Sequence, residues 1–222
     1  MKRVLFALAL VVFVSATLCA QDNATRSATT SSAVHQTVGS HAVSYAEPAG
    51  LVKIFSNLGS KTDAFDYTNG WLILGPSSSY GEQQWIAEPF TPTKNHTATQ
   101  IRAAMFYYSG GGTGNDFNFG IWSDASGVPG KELHGADKKN LPTWTGQSGD
   151  CCKTQNVTIK ATKLKKGTQY WIAMTTDSKG TTSSGAWDYV VGDTEGAQAS
   201  NHGSGWGGVN EQLTAAAVYG TK

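Results

Sequence analysis

The sequence predicts an all-β protein: an antiparallel β-sandwich, jelly-roll-like, preceded by a signal peptide and a flexible Ser/Thr/Ala-rich segment. Three observations predict it. Apolar residues recur at every second position in several runs between Leu51 and Tyr219, the mark of half-buried strands. Clusters of Gly, Pro, Asn and Ser punctuate these runs as turn chemistry does. No stretch shows a convincing amphipathic helical face and no internal repeat occurs. Many short strands joined by Gly-rich turns build sandwiches, with a closed barrel as the structural alternative.

The elements follow in chain order. Met1-Lys2-Arg3 is a short positive region, and Val4 to Val14 is an unbroken apolar run of 11 residues. A small-residue stretch then ends Leu18-Cys19-Ala20-Gln21. This is the layout of a secretory signal peptide over 1–20, and it is short of the roughly 20 apolar residues that span a bilayer. Cleavage is expected after Ala20, with Ala16 as the second choice. Cys19 invites a lipoprotein reading, but Leu18 stands where such a signal takes a small residue. Residues 21–49 are rich in Ser, Thr and Ala with no periodic apolar face, and read as a flexible low-complexity segment.

Residues 50–222 read as the sandwich domain, long enough for one well-buried core. Leu51–Ser56, Trp71–Gly75 and Trp85–Phe90 are short strand candidates. Ile101, Ala103, Met105 and Tyr107 alternate, as do Phe117, Phe119 and Ile121, then Val157 and Ile159, then Tyr170, Ile172 and Met174. Leu213, Ala215, Ala217 and Tyr219 alternate near the end. Asn69-Gly70, Gly75-Pro76, Ser109–Asn115, Val128-Pro129-Gly130 and Lys166-Gly167 mark turns. Pro129-Gly130 suits a type II turn with the glycine at positive φ. Tyr170-Trp171 suits a strand with one ring buried and the other outward.

Composition narrows the function. The chain carries 17 Lys and Arg, 16 Asp and Glu, and a net charge of +1, with 39% hydrophobic residues. It is too apolar for wholesale disorder. Loss of the leader removes Lys2 and Arg3, leaving 15 basic against 16 acidic residues and a net charge of −1. Nothing in that balance calls for nucleic acid. No second hydrophobic span follows the leader, so no transmembrane segment is expected after cleavage, and the mature protein is expected to be secreted. Asn23-Ala24-Thr25, Asn95-His96-Thr97 and Asn156-Val157-Thr158 are glycosylation sequons, silent if the source is bacterial.

One series of motifs stands out. Ser123-Asp124-Ala125-Ser126-Gly127-Val128-Pro129-Gly130-Lys131-Glu132-Leu133 follows a Phe-x-Phe-x-Ile strand. Leu164-Lys165-Lys166-Gly167-Thr168-Gln169-Tyr170-Trp171-Ile172 comes later, and Ala217-Val218-Tyr219-Gly220-Thr221 near the end. In order and spacing this resembles the choice-of-anchor family of bacterial exported domains, its R type, over Val52 to Thr221. The resemblance implies an exported β-sandwich with no common catalytic site. Members often carry a C-terminal sorting signal that this sequence does not show, which favours free secretion over surface attachment.

Motifs for chemistry are sparse. Gly146-Gln147-Ser148-Gly149-Asp150 and His202-Gly203-Ser204-Gly205 both fail the Gly-x-Ser-x-Gly elbow of a serine hydrolase. No Glu-x-Asp-x-Glu run occurs, so the facing carboxylates of a glycosidase are expected, if present, to come from distant strands. The histidines are scattered and no Cys-x-x-Cys occurs, so no metal site and no cofactor are expected. Calcium stays open through Asn115, Asp116 or Asp124, without a specific motif.

Cys151-Cys152 is the most unusual pair. Adjacent Cα atoms lie about 3.8 Å apart, against roughly 4.4–6.8 Å for ordinary disulfides. A vicinal disulfide therefore requires a strained peptide, though an oxidising compartment favours it. Two free thiols or a crosslink to another chain are the alternatives.

The aromatics carry the sharpest expectation. Of seven tryptophans, Trp71, Trp85, Trp122 and Trp171 sit on strand-like runs and read as packing. Trp144, Trp187 (beside Asp188) and Trp206 sit in polar, Gly-rich surroundings and read as loop residues. A loop indole can stack on the apolar face of a sugar while neighbouring polar groups bond its hydroxyls. Capping the ends of the core is the competing role. The expectation is an exported, non-catalytic extracellular or surface-associated module whose partner is a glycan or cell-surface component. Two alternatives stand beside it: a glycan-active hydrolase, or a structural or adhesive module that binds protein.

Overall fold

The computed structural model describes residues 47–59, 65–144, 154–176, 180–192 and 194–222. The leader, most of the low-complexity segment and the Cys151-Cys152 pair lie outside them. Among the described residues the regular structure is β-strand, with one short 3-10 turn at Ser109–Gly111 and no helix long and apolar enough to cross a membrane.

Thirteen strands follow in order: β1 (Val52–Ser56), β2 (Phe65–Leu74), β3 (Trp85–Phe90), β4 (His96–Ala103), β5 (Met105–Tyr107), β6 (Asp116–Asp124), β7 (Pro129–Lys139), β8 (Gln155–Leu164), β9 (Tyr170–Thr176), β10 (Ser184–Val190), β11 (Glu195–Asn201), β12 (Trp206–Gln212) and β13 (Ala216–Thr221). They form a four-stranded sheet in the order β1-β13-β4-β8, a three-stranded sheet β2-β10-β5, and a six-stranded sheet β12-β11-β3-β9-β6-β7. The strand pairings within the sheets are antiparallel, and the sheets pack together as the sandwich the sequence predicts.

The two smaller sheets meet at Ala104, the residue between β4 and β5. Its N–H donates to Ala215 O (3.1 Å), and its carbonyl accepts from Asp188 N (2.8 Å). One core cluster joins Phe117, Phe119, Ile121 and Ile172 of the six-stranded sheet to Ile101 and Val218 of the four-stranded sheet and to Trp187 of the three-stranded sheet. Strand β8 shows the pleat cleanly: Val157 and Ile159 are buried while Asn156, Thr158 and Lys160 are exposed. Each fully buried Phe, Ile or Leu contributes about 1.5–3 kcal/mol relative to an exposed one.

Turn chemistry differs from expectation at one place. Ser126 (φ 59°) and Gly127 (φ 89°) hold the positive dihedrals, and Ala125 N donates to Val128 O at 2.8 Å. That is a two-residue type I′ hairpin, whose twist matches its flanking strands. Pro129-Gly130 is therefore not a type II turn; it opens β7. The β6–β7 ladder also shifts register on both sides of Trp122, so that Ile121 faces His134 but Trp122 faces Glu132.

Candidate functional site

The three tryptophans singled out in the sequence occupy three different places. Trp187 and Asp188 lie in β10, not in a loop. Strand β10 is paired on both edges, by β2 and β5, and covered on both faces, which suppresses polar alternation and makes its sequence look loop-like. Trp187 is fully buried and donates its indole N–H to Ala215 O at 3.0 Å. Asp188 is 1% exposed and neither carboxylate oxygen has a hydrogen-bond partner. Burial, then the nearby Asp66 charge, hold its carboxyl well above the usual range. Neither residue reaches an external ligand. Trp144 stacks on Phe106 (5.6 Å, 22°) and leans on Tyr108, against a second core cluster that includes Leu72 and Leu74.

Trp206 is different. It opens β12, an edge strand, and stands edge-on to Trp122 of β6, with ring centroids 5.7 Å apart at 75°. The two strands are four places apart in the sheet, roughly 19 Å at about 4.8 Å per strand. A Cβ at Gly208 would lie 3.9 Å from Val128 Cγ1, so the β11–β12 hairpin bends over the outer face to meet the β6–β7 turn. Small residues make room for it. Ala87, Ala173 and Ala199 are cross-strand neighbours on this face, fully buried beneath Trp122, Trp171 and Trp206. Trp171 is 1% exposed, so the ring expected to point outward is on the outer face but covered. Trp122 and Trp206 stay half-buried and form the aromatic surface.

Polar groups gather beside it. Trp171 Nε1 (2.9 Å), Gln169 Nε2 (2.8 Å) and Gly127 N (3.2 Å) all donate to Asp124 Oδ1. Burial opposes ionisation of Asp124, but these bonds outweigh it and hold the carboxyl below its ordinary range.

Next along the face, Gly120 of β6 lies directly opposite Gly135 of β7. A Cβ at Gly120 would meet Trp122 Nε1 (2.8 Å), Glu132 Oε1 (3.1 Å) and Asn118 Oδ1 (3.2 Å), and one at Gly135 would meet Glu132 Oε1 and Asn118 Oδ1. Three polar side chains thus converge over a paired-glycine floor. Asn118 Nδ2 donates to Asp137 Oδ1 at 3.2 Å, and Asn118 also hydrogen-bonds the Glu132 carboxyl. Its own Oδ1 and the Trp122 indole N–H are buried with no hydrogen-bond partner. Burial first, and the Asp137 charge second, raise the Glu132 carboxyl above its ordinary range, against the opposing influence of Asn118 and His134.

Among the described residues no lysine or arginine forms an ion pair with Asp124, Glu132 or Asp137; Lys139 pairs with Asp116 at the start of β6. No group of three His, Cys, Asp or Glu side chains is placed to hold a metal ion among the described residues. Chemically, the face offers indole surfaces, one free N–H donor and several oxygen acceptors.

Sequence patterning places Trp122 in packing and does not single out Asn118, Glu132 or Asp137. A search at i+2 misses the carboxylates because Glu132 and Asp137 are five positions apart in the chain, and the register shifts in β6–β7 bring both beside Asn118. The usable signal is a glycine within each of two adjacent strands, since a glycine inside a strand often marks a close approach by another group. No protein-family model matches the chain, and no curated protein matches it.

Proposed function

We propose that this protein is an exported, non-catalytic extracellular or surface-associated module that binds glycans. Binding is through the outer face of the six-stranded sheet rather than through loops. The observation that carries the reading is the half-buried Trp122–Trp206 pair lying beside the unsatisfied Asn118 Oδ1 and Trp122 N–H. Indoles stack on the C–H faces of a pyranose, and amide and carboxylate groups select its hydroxyls. Export rests on the leader, and the resemblance to choice-of-anchor domains supports the same reading.

The test is a glycan array with the purified protein, with and without calcium, followed by calorimetry on the best ligand. Trp122→Ala and Trp206→Ala are each expected to weaken binding at least tenfold while the far-ultraviolet circular dichroism stays unchanged. Retention of no glycan, or folded variants that bind like the parent, would sink the reading.

The pairing of Glu132 with Asp137 through Asn118 favours a second reading, glycoside hydrolysis. A raised carboxyl close to another carboxyl is the arrangement such enzymes use for a general acid and its partner. New reducing ends from a bound oligosaccharide, lost in Glu132→Gln, would establish hydrolysis in place of simple binding.

A further inference from the structure

We propose that two copies of this chain join edge to edge through β12, in antiparallel pairing about a two-fold axis at Gly208. The pairing needs no glycan, although it adds a residue to the same site. The sheet edges differ in their protection. Proline, lysine, irregular register and cover keep an edge strand from pairing with another chain. Strands β7 and β8 cover each other through His134 Nδ1 and Thr162 Oγ1, 2.9 Å apart. Each also carries lysines, Lys138 and Lys139 on one and Lys160 and Lys163 on the other. Strands β1 and β2 shift register within their pairings, and β5 has three residues with a further bridge to Thr143. Strand β12 has seven residues, keeps unbroken register with β11, and contains no proline and no basic residue.

The direction of its backbone groups follows from one bond. Leu213 N donates to Thr194 O at 2.8 Å, one step beyond the Glu195–Gln212 pair. Bonded and non-bonded pairs alternate along an antiparallel ladder, so Gly207, Val209 and Glu211 bond β11. Trp206, Gly208 and Asn210 turn their N–H and carbonyl groups to the free edge, and no backbone group among the described residues takes them up. Gln212 also faces that way, but its carbonyl accepts from Trp71 Nε1, which ends the free stretch. Gly208 and Asn210 are exposed. Val128 of the β6–β7 turn meets Gly208 along its Cβ direction, on the face and not at the edge.

This stretch is complementary to itself. With Gly208 opposite its counterpart, Trp206 stands opposite Asn210, and each such pair exchanges two hydrogen bonds. The sole charge of the strand, Glu211, falls opposite Gly205 instead of another acid. Trp206, Gly208 and Asn210 share the outer face, since residues two apart do. The Asn210 amide of the second copy therefore lies beside the Trp206 indole, and two Trp122–Trp206 surfaces continue across one joined sheet. A seam of seven residues per copy is short of the roughly 20–30 of a standard interface, so the dimer is weak and concentration-dependent.

Sedimentation velocity from about 1 µM to about 1 mM is expected to show a reversible monomer–dimer equilibrium. Gly208→Pro removes the donor at the axis, a change that an edge strand tolerates when its N–H faces outward. It should weaken dimerisation at least tenfold with an unchanged melting temperature. Gly208→Cys tests the register independently. Cα atoms of a bonded pair lie about 5.5 Å apart, within disulfide reach, and a Cβ there meets nothing closer than 3.9 Å. Mild oxidation should link the two substituted positions to each other, as peptide mapping reads out. Asn210→Cys, held about four residues out of step with its counterpart, should not link. A protein that stays monomeric throughout, a folded proline variant that pairs like the parent, or equal linking at position 210 would overturn the inference. Glycan binding by a strictly monomeric parent would leave the glycan reading standing while this one falls.

Discussion

The carboxylate of Glu88 accepts two hydrogen bonds from Thr214, from the backbone N–H at 3.1 Å and from Oγ1 at 2.9 Å, in the interior of the sandwich. Asn57 Nδ2 donates to its other oxygen at 2.5 Å and also to Thr214 O at 2.7 Å. Glu88 is 2% exposed, and burial outweighs these bonds so that its carboxyl is pushed up to about 8. The fold therefore favours the protonated acid. The associated stability is complete below the ordinary value of 4.5 and is lost as pH rises to about 8. A tenfold change in proton affinity between folded and unfolded chains corresponds to about 1.4 kcal/mol. Urea midpoints are expected to fall between pH 5 and pH 8, and Glu88→Gln to flatten that slope. An unchanged slope in the variant would assign the pH dependence elsewhere.

Asp188 gives a sharper case because it has no compensating bond. Its raised carboxyl likewise adds stability at low pH that is lost as pH rises. Asp188→Asn is expected to stabilise the protein by on the order of 1–3 kcal/mol at pH 8, since an unpaired buried charge is costly. The two proteins should converge at pH 4. Thermal melts at both pH values check this, and equal melting temperatures at pH 8 would refute it.

Glycine replacements should separate fold from binding. A Cβ at Gly220 would collide with the Thr97 carbonyl oxygen and lie 2.8 Å from Ala98 Cα, both backbone. Gly220→Ala is therefore expected to cost about 3 kcal/mol or more. At Gly135 the obstacles are the ends of two side chains, the Glu132 carboxyl and the Asn118 amide. Gly135→Ala should cost under about 1 kcal/mol yet displace Glu132 and weaken glycan binding tenfold. Denaturation and calorimetry on both variants decide it.

The β6–β7 turn carries a non-glycine residue, Ser126, at φ 59°. Asparagine tolerates this region better, and Asn-Gly is the preferred type I′ pair. Ser126→Asn is expected to raise stability by a few tenths of a kcal/mol, and Gly127→Ala, at φ 89°, to lower it by about 1 kcal/mol. Paired urea titrations measure both.

What is legible in the sequence follows the pleat. Where one strand face meets the core and the other meets solvent, as at Val157 and Ile159, alternation gives the strand directly. Strand β10 is invisible because both faces are covered, so Ser184, Gly185 and Ala186 read as loop. Strand β7 is lost because register shifts break its period. Strands β11 and β12 pair mostly through small or polar residues such as Ala197 with Asn210 and Ala199 with Gly208, whose side chains give no apolar stripe. The glycine neighbours of Trp206 pick it out. Trp122 reads as packing, which it partly is, since it rests on alanines while leaving a surface beside Trp206. The acceptor set of Asn118, Glu132 and Asp137 exists only once β6 and β7 are in register, a relation between strands that one chain position cannot announce.

The position of β13 in the four-stranded sheet sets an order of events during synthesis. It lies between β1 and β4, so the first of these strands to emerge has no direct neighbour until the last one has been made. Its Ala216 also donates to Asn57 Oδ1 at 2.8 Å, the residue that reaches Glu88. A nascent chain paused before Ala216 must keep β1 and the buried carboxyl of β3 waiting, exposed to whatever chaperone holds it. Completion of the sandwich is therefore expected only after translation has passed Thr221.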